Sequence, residues 1–105
     1  MIKVEVKPGN CGHPTTIWLD NKNQMEVDVK LESGCNYVDS MSAELQHLDA
    51  YNECFRTREF SKVMEIASKH CKHAGCPVPM AICQGIEVAT GVSNTKKIEV
   101  KISRE

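Results

Sequence analysis

Apolar and charged residues alternate strictly at the start of the chain. Ile2, Val4 and Val6 interleave with Lys3, Glu5 and Lys7 until Pro8-Gly9-Asn10 breaks the run with turn-forming residues. A period of two places successive side chains on opposite faces, so this segment predicts a strand with one dry and one wet side. Residues 15–19 predict a second strand with Ile17 and Leu19 on one face, and Asp20-Asn21-Lys22-Asn23 reads as a polar hairpin connection. Met25, Val27, Val29 and Leu31 alternate with Glu26, Asp28 and Lys30 to give a third strand, ended by Ser33-Gly34. Near the end, Ile98, Val100 and Ile102 alternate with Glu99 and Lys101 and predict a closing strand.

Between the third strand and the last the period changes to that of a helix. Residues 38–48 carry Met41, Leu45 and Leu48 at helical spacing, and Phe60, Val63, Met64, Ala67 and Cys71 form the apolar stripe of a second helix. A third helix is expected to begin at Pro77, with Cys76 as its cap, because proline lacks the N–H that a first turn leaves unused. It would bury Val78, Ile82, Ile86 and Ala89 and stop at Gly91. The element order βββαααβ predicts a single domain over residues 1–105 of the α+β class. Its four-stranded antiparallel sheet would be covered on one face by helices. The buried sheet face should then carry Val4, Val6, Ile17, Leu19, Val27, Val29, Val100 and Ile102.

With 105 residues and a formal net charge of -1, the chain has room for one core and offers no basic face for nucleic acid. No apolar run approaches the ~18 residues of a membrane span, and the charged alternation at residues 1–6 does not resemble an export signal. A cytoplasmic location is the expectation, and it changes how six cysteines are read, because thiols there stay reduced. Metal binding or thiol chemistry becomes the alternative to simple packing. The sequence identifies no partner.

The cysteines separate by context. Cys71 and Cys83 lie on apolar helical stripes and read first as core, and Cys54, between Tyr51 and Phe55, fits either a small apolar cluster or a ligand. Cys11, Cys35 and Cys76 belong to no hydrophobic repeat, and each sits in a loop beside a glycine. If consecutive elements run antiparallel, Cys11, Cys35, Cys71 and Cys76 return to one end of the fold and Cys54 to the other. Thiolates so grouped suit zinc or an iron–sulfur cluster, with Cys11, Cys35 and Cys76 as ligands and a fourth from Cys71, Cys54, His13, His70 or His73. Two readings without metal stand beside this one. In the first, Cys76 is a nucleophile favoured as thiolate by the helix N-terminus, with Cys11 or Cys35 as resolving partner. In the second, the protein is a non-catalytic interaction module. Whether it is an enzyme at all is left open by the residues.

Two resemblances follow from these motifs. Cys76-Pro77-Val78-Pro79 ahead of an apolar helix resembles the CPxP helix of TusA-like sulfur-carrier proteins, which implies a persulfide held on Cys76. More broadly, Pro8, Gly9, Cys11 and Gly12, the middle Cys35, and Cys76 to Pro79 with Ala81 resemble a family of small uncharacterised proteins of anaerobic archaea and bacteria. That setting would suit an oxygen-sensitive cluster or thiol.

Overall fold

The computed structural model describes residues 1–9, 12–23 and 25–105. Strand β1 (Ile2–Val6) pairs antiparallel with β2 (Thr15–Asn23), and β2 pairs antiparallel with β3 (Glu26–Ser33). Val4 faces Ile17 across the first pair and Leu19 faces Val29 across the second, so the apolar alternation of all three strands falls on one side. The second strand is longer than its apolar stretch suggests. It runs through the polar residues to Asn23, with a register shift between Asn21 and Asn23.

The middle of the chain departs from the expected helix at 38–48. A single turn, α1 (Asn36–Asp39), gives way to successive tight turns and then to a short strand, β4 (His47–Asp49), which pairs with β3. The hydroxyl of Ser40 donates to the carbonyl of Tyr37, a local bond that competes with helix propagation. Val38, Met41, Leu45 and Leu48 are all buried nonetheless. The spacing that suggests one long helix is satisfied by turns, and Leu48 takes the place opposite Val27.

Three helices follow: α2 (Ala50–Cys54), α3 (Lys62–His70) after a 3₁₀ turn at Arg58–Phe60, and α4 (Val78–Ala89). The order is therefore βββαβααα, not βββαααβ, with sheet order β1-β2-β3-β4. Residues 98–102 form no strand, and Val100 and Ile102 are 76% and 92% exposed instead of lining the core. β4 occupies the edge of β3, so the sheet reaches four strands without them.

On α3 the buried stripe is Val63, Ile66 and Ala67, whereas Phe60 lies outside the helix and is exposed, stacked against the Arg56 guanidinium. The longest helix, α4, crosses β1 and β2 at Gly85. A Cβ there would stand 2.7 Å from Val4 Cγ2 and 2.9 Å from Leu19 Cδ1, so only glycine admits so close an approach. Pro77 occupies the cap position, and its carbonyl accepts from the Ala81 N–H at 3.0 Å. Cys76 accordingly lies one residue outside the helix. Gly91, at φ +81°, ends the chain's course along α4 as expected.

Candidate functional site

Cys35 follows β3 as the residue before α1. Its N–H donates to Ser33 Oγ at 3.1 Å and its carbonyl accepts from the Asp39 N–H at 2.8 Å, which fixes the turn beside the end of the sheet. Cys71 ends α3, with its N–H on the Ala67 carbonyl at 2.8 Å. A tight turn places the Cys76 N–H on the His73 carbonyl at 3.1 Å and delivers Cys76 to the entrance of α4.

These three cysteines share a neighbourhood. Cys76 and, to a lesser degree, Cys35 are near enough to Cys71 to act on its thiol through space. Burial pushes the Cys71 thiol up to about 11, and the adjacent Cys76 and Cys35 act in the same direction, because a second negative charge there would be poorly solvated. Cys71 Sγ also lies 3.6 Å from Met41 Sδ. Cys35, Cys71 and Cys76 are all partly buried against the main core.

The histidines fall in two groups. His13 lies against Gly34, where a Cβ would stand 3.6 Å from Nδ1, and His73 lies against Gly75, at 3.6 Å from Cε1. Each imidazole therefore borders the glycine that precedes Cys35 or Cys76. His70 is engaged elsewhere. Its Nδ1 bonds Ser40 Oγ at 2.9 Å and its Nε2 pairs with the Glu44 carboxylate, which also receives Lys69 at 2.8 Å. With both ring nitrogens used, His70 drops out as a ligand. Lys69 first, and His70 second, hold the Glu44 carboxyl below its ordinary range.

Cys54 belongs to a different place. It shares surroundings with Cys83, Glu53 and Glu87, and these three, with Ser61, line part of an open recess of about 200 Å³. Burial pushes the Cys54 thiol up to about 11 and the Cys83 thiol up to about 12, with the nearby carboxylates adding to both. Glu53 is buried and accepts from Ser61 Oγ, Lys62 N–H at 2.9 Å and Val63 N–H at 3.1 Å. It caps α3 with a negative charge at the positive end of the helix. Its polar demands are met, so its role is structural.

Cys11 lies outside the described residues. Among those described, no three His, Cys, Asp or Glu side chains stand in ready ligating geometry. Met41 was not legible as a neighbour of the thiols, because its place in an apolar pattern accounts for it fully. Cys71, likewise hidden in a stripe, terminates α3, where it packs against the core and also neighbours Cys76. No helix is long and apolar enough to cross a membrane among the described residues.

A family model described as a family of unknown function (DUF6951) matches residues 2–102. No curated protein and no solved structure matches the chain.

Proposed function

The chain belongs to the DUF6951 family, and we propose that it is a thiolate protein that holds zinc or an iron–sulfur cluster through Cys11, Cys35, Cys71 and Cys76. The observation that supports this reading is the nearness of Cys76 and Cys35 to Cys71, which joins the two ends of the α3–α4 loop with the residue that precedes α1. Deprotonating them together is opposed by their mutual repulsion and by burial, and a soft cation removes both penalties at once. Of the fourth ligands the sequence offers, Cys71 is favoured, because Cys54 keeps company with Glu53 and Glu87 and His70 is held by Ser40 and Glu44, while His13 and His73 border the glycines beside Cys35 and Cys76. Metal analysis and visible absorption of protein purified without oxygen test it. Wild type and the Cys54→Ser and Cys83→Ser variants should carry stoichiometric metal, and Ser at position 11, 35, 71 or 76 should lose it. Folded wild-type protein without metal would refute the proposal.

A second reading rests on the nearness of Cys76 to Cys71. Cys76 stands just before α4, whose free N–H groups favour a thiolate by about 0.3–1 kcal/mol, and Cys71 is placed to resolve a mixed disulfide formed there. The Cys76 thiolate would attack a disulfide and expel one thiolate; Cys71, losing its proton, would expel the second and leave a Cys71–Cys76 disulfide. The two cysteines supply the two electrons that reduce the substrate. Cys71 thus takes the resolving role first assigned to Cys11 or Cys35. Iodoacetamide labelling of metal-free protein against pH decides it, because a Cys76 that titrates no lower than an ordinary thiol at about 8.5 lacks the required reactivity.

A further inference from the structure

Beyond Gly91 the chain stays tied to α4 for a few residues and then leaves the fold. The Val92 and Ser93 N–H groups donate to the Glu87 carbonyl at 2.9 and 3.1 Å, and Lys96 Nζ reaches Glu87 Oε1 at 3.3 Å. From Lys97 onward the polar contacts among the described residues stay within the segment itself, from Lys97 to Glu99 and from Ser103 to Glu105. Ile98, Val100 and Ile102 are 44%, 76% and 92% exposed. A strictly alternating apolar segment without a sheet is a strand that lacks a partner.

The sheet carries a matching vacancy. Among the described residues β1 pairs with β2 alone, leaving five residues of open edge, whereas at the opposite side β4 covers Glu26–Asp28 of β3, and the Val29 and Ser33 N–H groups donate to the Gln46 carbonyl and Asp39 Oδ1. Ile2 and Val4 at that open edge are only partly covered. A parallel register sets Ile98, Val100 and Ile102 beside Ile2, Val4 and Val6, and at the same time sets Glu99 against Lys3 and Lys101 against Glu5. The antiparallel register of equal overlap sets Lys3 against Lys101 and Glu5 against Glu99, which like-charge repulsion disfavours. A one-residue slip in either direction puts charge on the apolar face.

We propose that residues 98–102 add as a parallel strand to the β1 edge of a second copy of this chain, forming a dimer by reciprocal exchange. One chain carries both the open edge and the complementary segment, and within that chain the segment makes no hydrogen bond to β1. A two-fold exchange covers both edges and closes the assembly, which removes the aggregation hazard of an unpaired strand.

Light scattering on the full chain tests this. Wild type should show a mass near twice 11.7 kDa. Val100→Asp alters a side chain exposed in the single chain, so it should halve the mass without changing the far-ultraviolet circular dichroism. Glu99→Lys should also yield monomer, and adding Lys3→Glu should restore the dimer. A monomeric wild type, a dimer indifferent to Val100→Asp, open-ended polymers, or failure of the charge swap to restore pairing would each overturn the proposal.

Discussion

Gly85 and Glu53 are the two residues on which the packing of the helices most depends. At Gly85 α4 approaches β1 and β2 so closely that an added methyl overlaps Val4 and Leu19 side chains. Gly85→Ala should therefore destabilise the protein by about 1–3 kcal/mol through overpacking, despite alanine's better helix propensity. A urea midpoint at or above that of wild type would show that α4 can shift aside. Glu53 joins α2 to the first turn of α3 with one carboxylate serving a hydroxyl and two backbone N–H groups. Glu53→Ala leaves those donors without an acceptor and should cost about 1–3 kcal/mol, whereas Glu53→Gln keeps an acceptor oxygen and should cost less. Equal losses for the two variants would mean that shape matters there and capping does not. Neither residue was legible in the sequence. A glycine inside a helix looks like a tolerated weakness, and a glutamate eight positions before the serine it caps has no local signature.

Elements were legible where one physical requirement acted alone. The first three strands have a dry face set by alternation, and α4 has a proline at its start and a glycine past its end, so pattern and structure agree. They part where two arrangements bury the same residues. Met41, Leu45 and Leu48 satisfy a helix, but serine-rich turns leading into β4 bury them as well and also cover the edge of β3. Residues 98–102 show the converse case, in which strand periodicity is present and the segment pairs with no strand of its own chain. The expectation that Cys11, Cys35, Cys71 and Cys76 share one end rested on a helix at 38–48 that is absent, and Cys11 lies outside the described residues; Cys35, Cys71 and Cys76 are near one another. How near Cys71 comes to Cys76 is set by how α3 ends, and spacing does not encode that. At this scale burial decides mutational cost. Ile82→Ala, at a fully buried position of α4, should cost about 2–5 kcal/mol. Phe60→Ala, at a residue expected in the α3 stripe but 48% exposed, should stay within about 0.5 kcal/mol. Chemical denaturation of both variants reads the difference, and a Phe60 cost as large as that of Ile82 would contradict the observed stripe.

For the whole molecule, pH dependence separates the metal-free protein from the loaded one. Cys54, Cys71 and Cys83 hold their protons up to about 11, 11 and 12 in the folded chain, chiefly because burial disfavours the thiolate. A raised pKa means the folded state binds these protons more tightly than the unfolded state. The stability they contribute is fully present below about pH 8.5, where both states are protonated. It is lost as pH rises through the folded values of 11 to 12. Reduced, metal-free protein should accordingly show a falling melting temperature from about pH 9 upward. Cys83→Ala should make the fall shallower than in wild type, and the lysines common to both cancel in that comparison. A melting temperature that is flat to pH 10.5 in both proteins would show that the three thiols open to solvent on the native side. On the proposed metal-bound reading the sign reverses for one of them. Bound as a ligand, Cys71 is already a thiolate, so its share of the alkaline loss should vanish and stability should fall instead on acidification, as protons compete with the metal for sulfur. Cys54 and Cys83, outside that site, should titrate identically with and without metal, and loading that leaves the alkaline slope unchanged would place the metal away from Cys71.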